Sequence, residues 1–488
     1  MNISIIRYIL GYVLKLEAAV LMLPALTSVF YREREGVAYI AVALLCVALG
    51  ILMSARKPKS NVFYLKEGCI TTALAWIVLS IFGALPFVLT KEIPNYINAL
   101  FETVSGFTTT GASILSDVEA LSHTSLMWRS FTHWIGGMGV LVFLLAIVPL
   151  SGGSHINLMR AESPGPSVEK LVPKVRYTAR LLYLIYFGLT VLQMILLLIG
   201  KMPLFEAVTT AFGTAGTGGF GIKNDSIASY SPYIQWVVTV FMALFGINFN
   251  AYYLILMRRF KKAFAMEEVR AYIIIIAVAV ITVFADVSTR MDNLWDALRH
   301  SAFQVSSIIT TTGFATADFD TWSQTSRIVL VMLMFVGACA GSTGGGIKVS
   351  RLVILVKTSF KEMMSYIHPK SIRKVKMDSK PIDHEVVRSI NVYFITFTVL
   401  FAASMLLISF EDKDLVTTFT AVAATINNIG PGLGLVGPTG NFGSFNVFSK
   451  LVLIFDMLAG RLELFPLLLL FHPTVWKGAV TRRKRSGE

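Results

Sequence analysis

Apolar stretches long enough to cross a membrane recur from one end of the chain to the other, separated by short polar segments. A helix needs about 20 mostly apolar residues to span the hydrocarbon core of a bilayer. The pattern predicts ten spans, near residues 5–30, 37–55, 66–90, 126–150, 178–200, 231–257, 270–287, 326–356, 388–410 and 447–472.

The composition agrees with a membrane protein of many spans. The 488 residues are 55% hydrophobic and only 15% charged, with a mean hydropathy of +0.67. Soluble domains carry about 25% charged residues. The composition therefore excludes a disordered chain, a disulfide-rich secreted scaffold and an ordinary cytosolic enzyme.

The net charge of +14 comes from basic clusters that alternate with the predicted spans. The clusters follow the second, fourth, sixth and eighth spans and close the chain, at residues 56–66, 160–180, 258–270, 357–380 and 482–485. Basic loops tend to remain on the cytoplasmic side of a membrane. With an even number of spans, both termini are predicted to be cytoplasmic, and contact between the basic loops and membrane lipid is expected.

Four segments rich in threonine, asparagine and glycine follow the third, fifth, seventh and ninth spans. They read FETVSGFTTTGAS (101–113), FEAVTTAFGTAGTGGFG (205–221), FQVSSIITTTGFAT (303–316) and FTAVAATINNIGPGLG (419–434). Each follows a semi-polar stretch that is too short to cross the membrane. The predicted unit is a span, a short re-entrant helix, a glycine turn and a second span, repeated four times.

The repeats define the predicted fold class and domain organisation. We predict an all-α integral membrane protein in which four such repeats surround one axis in a pseudo-fourfold arrangement, after an N-terminal helix pair. The predicted boundaries are 1–60 for the helix pair and 61–170, 171–265, 266–380 and 381–488 for the four repeats.

The glycine turns predict a path for a cation. Irregular backbone at membrane depth is tolerated only where it lines a cavity or is buried in protein. Glycine allows carbonyl groups to point inward, and carbonyl oxygens replace the water shell of a monovalent cation. The negative C-terminal end of each short helix favours the same cation. The flanking threonine hydroxyls would either pack the turns or add oxygen ligands.

A further glycine run, GSTGGGIK (341–348), lies inside the predicted span 326–356. It differs from a nucleotide-binding P-loop because Ile347 separates Gly346 from Lys348 and because it lies within an apolar span. Four glycines in six residues interrupt a regular helix. The run is therefore either an unwound loop that serves as a gate or a kink that lets helices pack.

Arg461 lies near the middle of the last predicted span. A charge at that depth is costly and is usually functional. Neither Glu463 nor Asp456 stands at a helical spacing that would pair with it. We expect Arg461 to pair with carbonyls or hydroxyls of another repeat, and the alternative is a structural buried ion pair.

The motifs TTTGAS, GTGGFG, TTTGFAT and NNIGPGLG, with GSTGGGIK and AGRLELFP, resemble the TrkH/KtrB/HKT superfamily of potassium transporters over essentially the whole chain. The resemblance implies potassium uptake through a short selectivity filter with one key glycine per repeat. The fourth repeat departs from the pattern, since Asn427 and Asn428 replace threonine and Pro431 follows the glycine. The implied ion-binding residues are Thr110, Gly111, Gly218, Gly219, Thr312, Gly313, Ile429 and Gly430.

The same resemblance implies a gate and a set of partners. The gate would be an intramembrane loop that faces Arg461 and comprises Gly341, Ser342, Thr343, Gly344, Gly345 and Gly346. The partners would be a second copy in a homodimer with a pore in each protomer and a cytosolic TrkA-like nucleotide-binding ring, at the bacterial inner membrane. No bound cofactor, no metal other than the transported K⁺ and no nucleic acid are expected.

Three rival functions remain open from the sequence. The first is a secondary carrier that couples potassium to protons or sodium, and the second is a less selective potassium and sodium channel. The third is an intramembrane enzyme, which would need a nucleophile with a base, or a metal set, within the spans. The sequence offers no such constellation, so we do not expect an enzyme.

Overall fold

The computed structural model describes residues 1–58, 63–139, 175–369 and 374–476. Within these ranges the regular secondary structure is helical, apart from the paired strands β1 (Lys376–Met377) and β2 (Lys380–Pro381). The helices are α1 (Ile3–Tyr31), α2 (Gly36–Ser54), α3 (Leu65–Gly83), α4 (Leu85–Leu89), α5 (Tyr96–Phe107), α6 (His123–Gly137), α7 (Val175–Ile199), α8 (Leu204–Ala215), α9 (Pro232–Phe245), α10 (Phe249–Leu256), α11 (Phe260–Ala265), α12 (Glu267–Val287), α13 (Leu294–Ile309), α14 (Gln324–Val336), α15 (Val349–Ile367), α16 (His384–Ser409), α17 (Leu415–Ile426), α18 (Val447–Arg461) and α19 (Phe465–Leu468). Short 3-10 turns occupy Phe319–Thr321, Gly434–Val436 and Leu469–Phe471.

Six of the described helical stretches are long and apolar enough to cross a membrane. They are α1, α2, α3 together with α4, the 180–199 part of α7, α12 and α16. The pair α9 and α10 makes a seventh candidate, bent by 93° between Phe245 and Phe249. The prediction of an all-helical membrane protein with several apolar spans is confirmed.

In the second, third and fourth predicted repeats the second span is interrupted. This corrects the predicted spans 231–257 and 447–472, whereas the break in span 326–356 contains the glycine run that was predicted to interrupt it. Spans 231–257, 326–356 and 447–472 break after α9, α14 and α18, respectively. The sequence stays apolar across each break, but the residues at the break end the helix. Gly246 closes α9 and Asn248 starts α10 by accepting a hydrogen bond from the Asn250 amide (2.9 Å).

Several sequence predictions fall outside the described residues. The fourth predicted span begins within α6, but its residues 140–150 are outside the described part. The same holds for the domain boundaries at 61 and 170–171. It also holds for parts of the basic clusters, namely residues 59–62, 160–174, 370–373 and 482–485.

Four short helices stand where the sequence predicts re-entrant helices. They are α5, α8, α13 and α17, of 12, 12, 16 and 12 residues. Asn95, Asn293 and Asp414 cap three of them, each accepting a backbone N–H at 2.9 to 3.0 Å. Each short helix ends at one of the glycine-rich turns, so all four turns begin from a helix, and three of these helices have a side-chain N-cap.

The N-terminal helix pair packs onto the helices of the first repeat. Helices α1 and α2 approach closely at two glycines, because a Cβ on Gly11 would lie 2.9 Å from the carbonyl oxygen of Gly50. Helix α1 also contacts α3 and α6. The hydroxyls of Tyr39 on α2 and Ser125 on α6 lie 2.9 Å apart.

Candidate functional site

The four glycine turns share one backbone pattern. We call residues 108–113, 216–221, 310–315 and 427–432 ring segments 1 to 4. In each, a non-glycine residue adopts a left-handed conformation, and two positions later a glycine does so too. The glycines are Gly111 (φ 79°), Gly219 (76°), Gly313 (86°) and Gly430 (97°), after Thr109, Thr217, Thr311 and Asn428. Positive φ favours glycine at these positions.

The four segments contact one another in a closed cycle. A Cβ on Gly111, Gly219 or Gly313 would collide with the carbonyl oxygen of Gly218, Thr312 or Ile429, respectively, in the next segment. A Cβ on Gly430 would lie 2.7 Å from the carbonyl oxygen of Thr110, which returns to segment 1. We call these four glycines and four carbonyls the carbonyl ring. All eight filter residues implied by the resemblance therefore meet at one place.

Threonine hydroxyls form hydrogen bonds within ring segments 1 and 3. Thr108 and Thr110 have hydroxyls 2.8 Å apart, and the same distance joins Thr310 and Thr312 in segment 3. Asn428 replaces this arrangement in segment 4, since its amide nitrogen donates to the Thr110 hydroxyl (2.9 Å). The asparagine of the fourth repeat thus ties segment 4 to segment 1.

Between α14 and α15 the chain forms a non-helical loop, residues 337–348, which we call the intramembrane loop. The loop contacts ring segments 3 and 4. The Gly345 amide donates to the Thr311 hydroxyl (2.6 Å), and a Cβ on Gly345 would lie 3.1 Å from the Asn428 Cβ. A Cβ on Gly344 would lie 2.9 Å from the Thr310 carbonyl oxygen. The loop therefore packs directly against the carbonyl ring.

Arg461 bridges this loop to the end of α6. Its guanidinium donates to the carbonyl oxygens of Thr343 (3.1 Å) and Gly137 (2.9 Å), and to that of Gly136. Its Cζ also lies 5.7 Å from the centre of the Trp76 ring. Of the predicted gate residues, Thr343 contacts Arg461 directly. Gly341 instead accepts the Phe249 amide (3.0 Å) at the start of α10.

Two carboxylates that sequence reasoning missed hold the ends of the loop. Glu268 of α12 accepts the amides of Ala340 (2.6 Å) and Ser350 (3.2 Å), which flank the glycine-rich centre of the loop, 341–346, on its two sides. Arg351 pairs with Glu463 and donates to the Ile347 carbonyl (3.2 Å). Because these partners are far apart along the chain, neither helical spacing nor a local motif could have indicated them.

Two cavities adjoin the carbonyl ring and the intramembrane loop. One of about 130 Å³ is lined by the four glycines of the carbonyl ring and by Arg129. Another of about 120 Å³ is lined by the intramembrane loop with Trp76, Lys348 and Arg461. Both spaces are large enough for water.

Among the described residues, no group of three His, Cys, Asp or Glu side chains is placed to hold a metal ion. The oxygen atoms that converge are backbone carbonyls, which suit a weakly held monovalent cation better than a resident transition metal. Fold and site together define a helical membrane protein built around a ring of carbonyl groups.

Comparison with known proteins gives the family. A model of the TrkH family, described as cation transport protein, matches residues 36–478. The potassium uptake protein TrkH of Salmonella typhimurium is 35% identical over 98% of this chain and all of its own length, and that of Escherichia coli K12 is 34% identical over the same shares. The crystal structure of the potassium transporter TrkH from Vibrio parahaemolyticus superposes with a TM-score of 0.88, at 31% identity over 98% of this chain and 100% of that one.

The chain belongs to the TrkH family of cation transport proteins. The resemblance seen in the sequence motifs is thereby confirmed, and so is the expectation that the protein is not an enzyme.

Proposed function

We propose that this protein takes up potassium ions across the bacterial inner membrane through a pore whose selectivity filter is the carbonyl ring. The observation that carries the proposal is the closed cycle of contacts, in which each glycine packs on a carbonyl of the next segment. Carbonyl oxygens from four segments can replace the hydration shell of one dehydrated cation. Four repeats around this ring, with the predicted boundaries, supply the pseudo-fourfold pore.

An ion-replacement flux assay on the purified protein in liposomes tests this function. We expect K⁺ and Rb⁺ to enter faster than Na⁺, with currents that follow the electrochemical gradient of K⁺ alone. Equal K⁺ and Na⁺ fluxes would favour the less selective channel. K⁺ uptake that requires a proton or sodium gradient, with a fixed ratio of K⁺ to the coupled ion, would favour the coupled carrier.

The intramembrane loop is the proposed gate. It lies against ring segments 3 and 4 and is bridged by Arg461 to α6. This places a positive charge beside the cation path, which raises an electrostatic barrier until the loop moves. Glu268 and the Arg351–Glu463 pair hold the loop ends while its glycine-rich centre, 341–346, changes conformation.

Glu268→Ala should weaken the gate and the fold together. The substitution leaves the amides of Ala340 and Ser350 without their carboxylate, and each unpaired buried donor costs about 1–3 kcal/mol. We expect a lower melting temperature in detergent and a raised basal K⁺ flux. Glu267→Ala is the matched control, because Glu267 pairs with Lys357 and does not bond the loop ends. Wild-type flux in both variants would remove Glu268 from the gate.

A cytosolic nucleotide-binding ring like TrkA is the proposed regulator, and a homodimer with one pore per protomer is the proposed assembly. The cytoplasmic placement of both termini rests on the basic clusters. In one of these clusters, the side chains of Lys374, which precedes strand β1, and of Lys376, the first residue of β1, are exposed. Lys376 also accepts a hydrogen bond from Lys357 of α15 through its carbonyl (2.8 Å). We propose that the hairpin of β1 and β2 connects a docked partner to α15, the helix that follows the proposed gate.

Reversing both charges, Lys374→Glu with Lys376→Glu, should weaken capture of the regulatory ring in a pull-down, because an acidic docking face would be repelled. The matched control is Arg258→Glu with Arg259→Glu, the same change of charge at two other exposed cytoplasmic residues. Equal loss in both double variants would indicate general electrostatic attraction. Intact ring binding together with lost affinity for anionic vesicles would assign Lys374 and Lys376 to lipid.

A further inference from the structure

A buried ion pair of the first repeat contacts the ends of ring segments 1 and 2. Glu102 of α5 and Arg129 of α6 approach to 2.9 Å, with side chains 0% and 2% exposed. Buried ion pairs cost much desolvation energy and are weak stabilisers of a fold. Their place in this structure therefore calls for a role beyond stability.

Each partner also holds the chain just beyond one ring glycine. Glu102 accepts the Ser113 hydroxyl (3.0 Å) and the Ile114 amide (3.0 Å), at the exit of ring segment 1. The second guanidinium nitrogen of Arg129 donates to the Gly221 carbonyl (3.1 Å), at the exit of ring segment 2. One ion pair thus fixes two segments relative to each other.

A histidine one turn further along α6 makes a second connection between the same repeats. His133 is fully buried; one ring nitrogen, Nδ1, bonds the Gly106 carbonyl (2.7 Å) of α5. The other, Nε2, accepts the Phe220 amide (3.2 Å). The Phe220 ring lies 4.1 Å from the Arg129 guanidinium carbon and 4.3 Å from the centre of the His133 ring. The residue directly after Gly219 is therefore held between two side chains of α6.

The third and fourth repeats carry neutral residues at the corresponding position. Glu102 precedes the ring glycine Gly111 by a fixed number of residues. At the same spacing, Gln304 precedes Gly313 and Ala421 precedes Gly430. Gln304 reaches only the Ala317 carbonyl, at 3.5 Å. Among these three repeats, the charged connection is thus a property of the first, and the carbonyl ring is chemically asymmetric behind its glycines.

We propose that Glu102, Arg129 and His133 are positioning residues that set the separation of ring segments 1 and 2, and thereby the ion selectivity of the pore. The inference rests on the proposed function, in which Gly111 and Gly219 belong to the filter. Selectivity depends on where carbonyl oxygens are held. A rigid, buried connection at the segment exits fixes that placement without touching the ion.

The test is the K⁺/Na⁺ permeability ratio of Glu102→Gln in liposomes, measured beside its melting temperature. Glutamine keeps the size of the side chain but removes the charge that holds Arg129. We expect the ratio to fall about tenfold, because shifts of a fraction of an ångström are that costly at a pre-organised site. Asp456→Asn is the matched control, since this buried carboxyl bonds Ser404 of α16 (2.7 Å) instead of a ring segment. The control should lose stability but keep the ratio.

The outcomes separate this inference from the proposed function. An unchanged ratio in Glu102→Gln, beside a lowered ratio in Gly313→Ser, overturns the positioning role and leaves the filter standing. Unchanged ratios in both variants overturn the filter and this inference together. If Glu102→Gln gives no folded protein, Arg129→Lys decides by the same ratio, because lysine keeps the charge but lacks the second nitrogen that reaches Gly221.

Discussion

Replacing Arg461 with alanine should raise the K⁺ flux of the isolated protein about thirtyfold and reduce its dependence on the cytosolic partner. A unit charge about 8 Å from a passing cation, at an effective dielectric constant of about 20, opposes it by roughly 2 kcal/mol, and that energy corresponds to about a thirtyfold change in rate. The substitution also removes the hydrogen bonds from Arg461 to Thr343 and Gly137. Flux into liposomes, with and without the partner, measures both effects.

Arg461→Lys separates the charge from the bridge. Lysine keeps the positive charge, but it lacks the planar guanidinium group whose several N–H donors bond the loop and α6 at the same time. We therefore expect low flux without the partner and a loop that opens more readily with it. If Arg461 is a structural pin instead, Arg461→Ala should give low detergent-solubilised yield together with low flux. A stable Arg461→Ala protein with wild-type flux would contradict the gate.

Replacing Gly313 with serine should lower the K⁺/Na⁺ permeability ratio about tenfold while the protein still inserts. A Cβ at this position collides with the Ile429 carbonyl oxygen, and its φ of 86° lies in the left-handed region. Left-handed backbone costs an L-residue about 1–2 kcal/mol, and about 1.4 kcal/mol corresponds to a factor of ten. The backbone must therefore shift, and the carbonyl oxygens shift with it.

Gly188→Ser is the matched control for this prediction. Gly188 lies on α7, and a Cβ there would meet nothing within 4 Å. The control makes the same chemical change without touching the ring, so it should keep the wild-type ratio. A Gly313→Ser protein with an unchanged ratio would remove Gly313 from the filter.

The ring segments could be anticipated from the sequence because their signal is local and repeated. Each glycine turn combines a short apolar helix with threonine or asparagine and a glycine that must adopt positive φ. Even in the second repeat, where Gly216 and Gly218 are close by, the shared backbone pattern puts Gly219 in register with Gly111 and Gly313. The local chemistry of the turns was therefore enough to indicate which residues meet in the carbonyl ring, and their role as a selectivity filter stays a prediction.

The helix breaks in spans 231–257 and 447–472 were missed because mean hydropathy does not report where a helix ends, whereas the glycine run 341–346 had indicated the break in span 326–356. Residues 231–257 read as one apolar span, yet the chain turns by 93° between Phe245 and Phe249. Gly246 and Asn248 are the local signals for a helix end and a new helix start. Attention to these residues, rather than to the mean hydropathy alone, would have predicted a broken helix.

The polar connections were missed for a different reason. Glu102 and Arg129 lie on different helices, and Glu268 reaches Ala340 and Ser350 from another part of the chain. Periodicity reports which side of a helix is apolar, but it does not report which helices meet. Arg461 was predicted in part. The free-energy cost of a charge within the membrane predicted that Arg461 has a polar partner, but only the fold identified the carbonyls of Thr343 and Gly137 as its partners.

The most direct test of the central claim is X-ray diffraction at the rubidium absorption edge, from crystals in which Rb⁺ replaces K⁺. If the carbonyl ring is the filter, an anomalous peak will lie within coordination distance of the carbonyl oxygens of Thr110, Gly218, Thr312 and Ile429. The peak should persist when Na⁺ replaces a small part of the Rb⁺, and it should weaken only when Na⁺ is present in large excess over Rb⁺. A well-ordered ring without an anomalous peak, with Rb⁺ bound elsewhere along the path, would contradict the account.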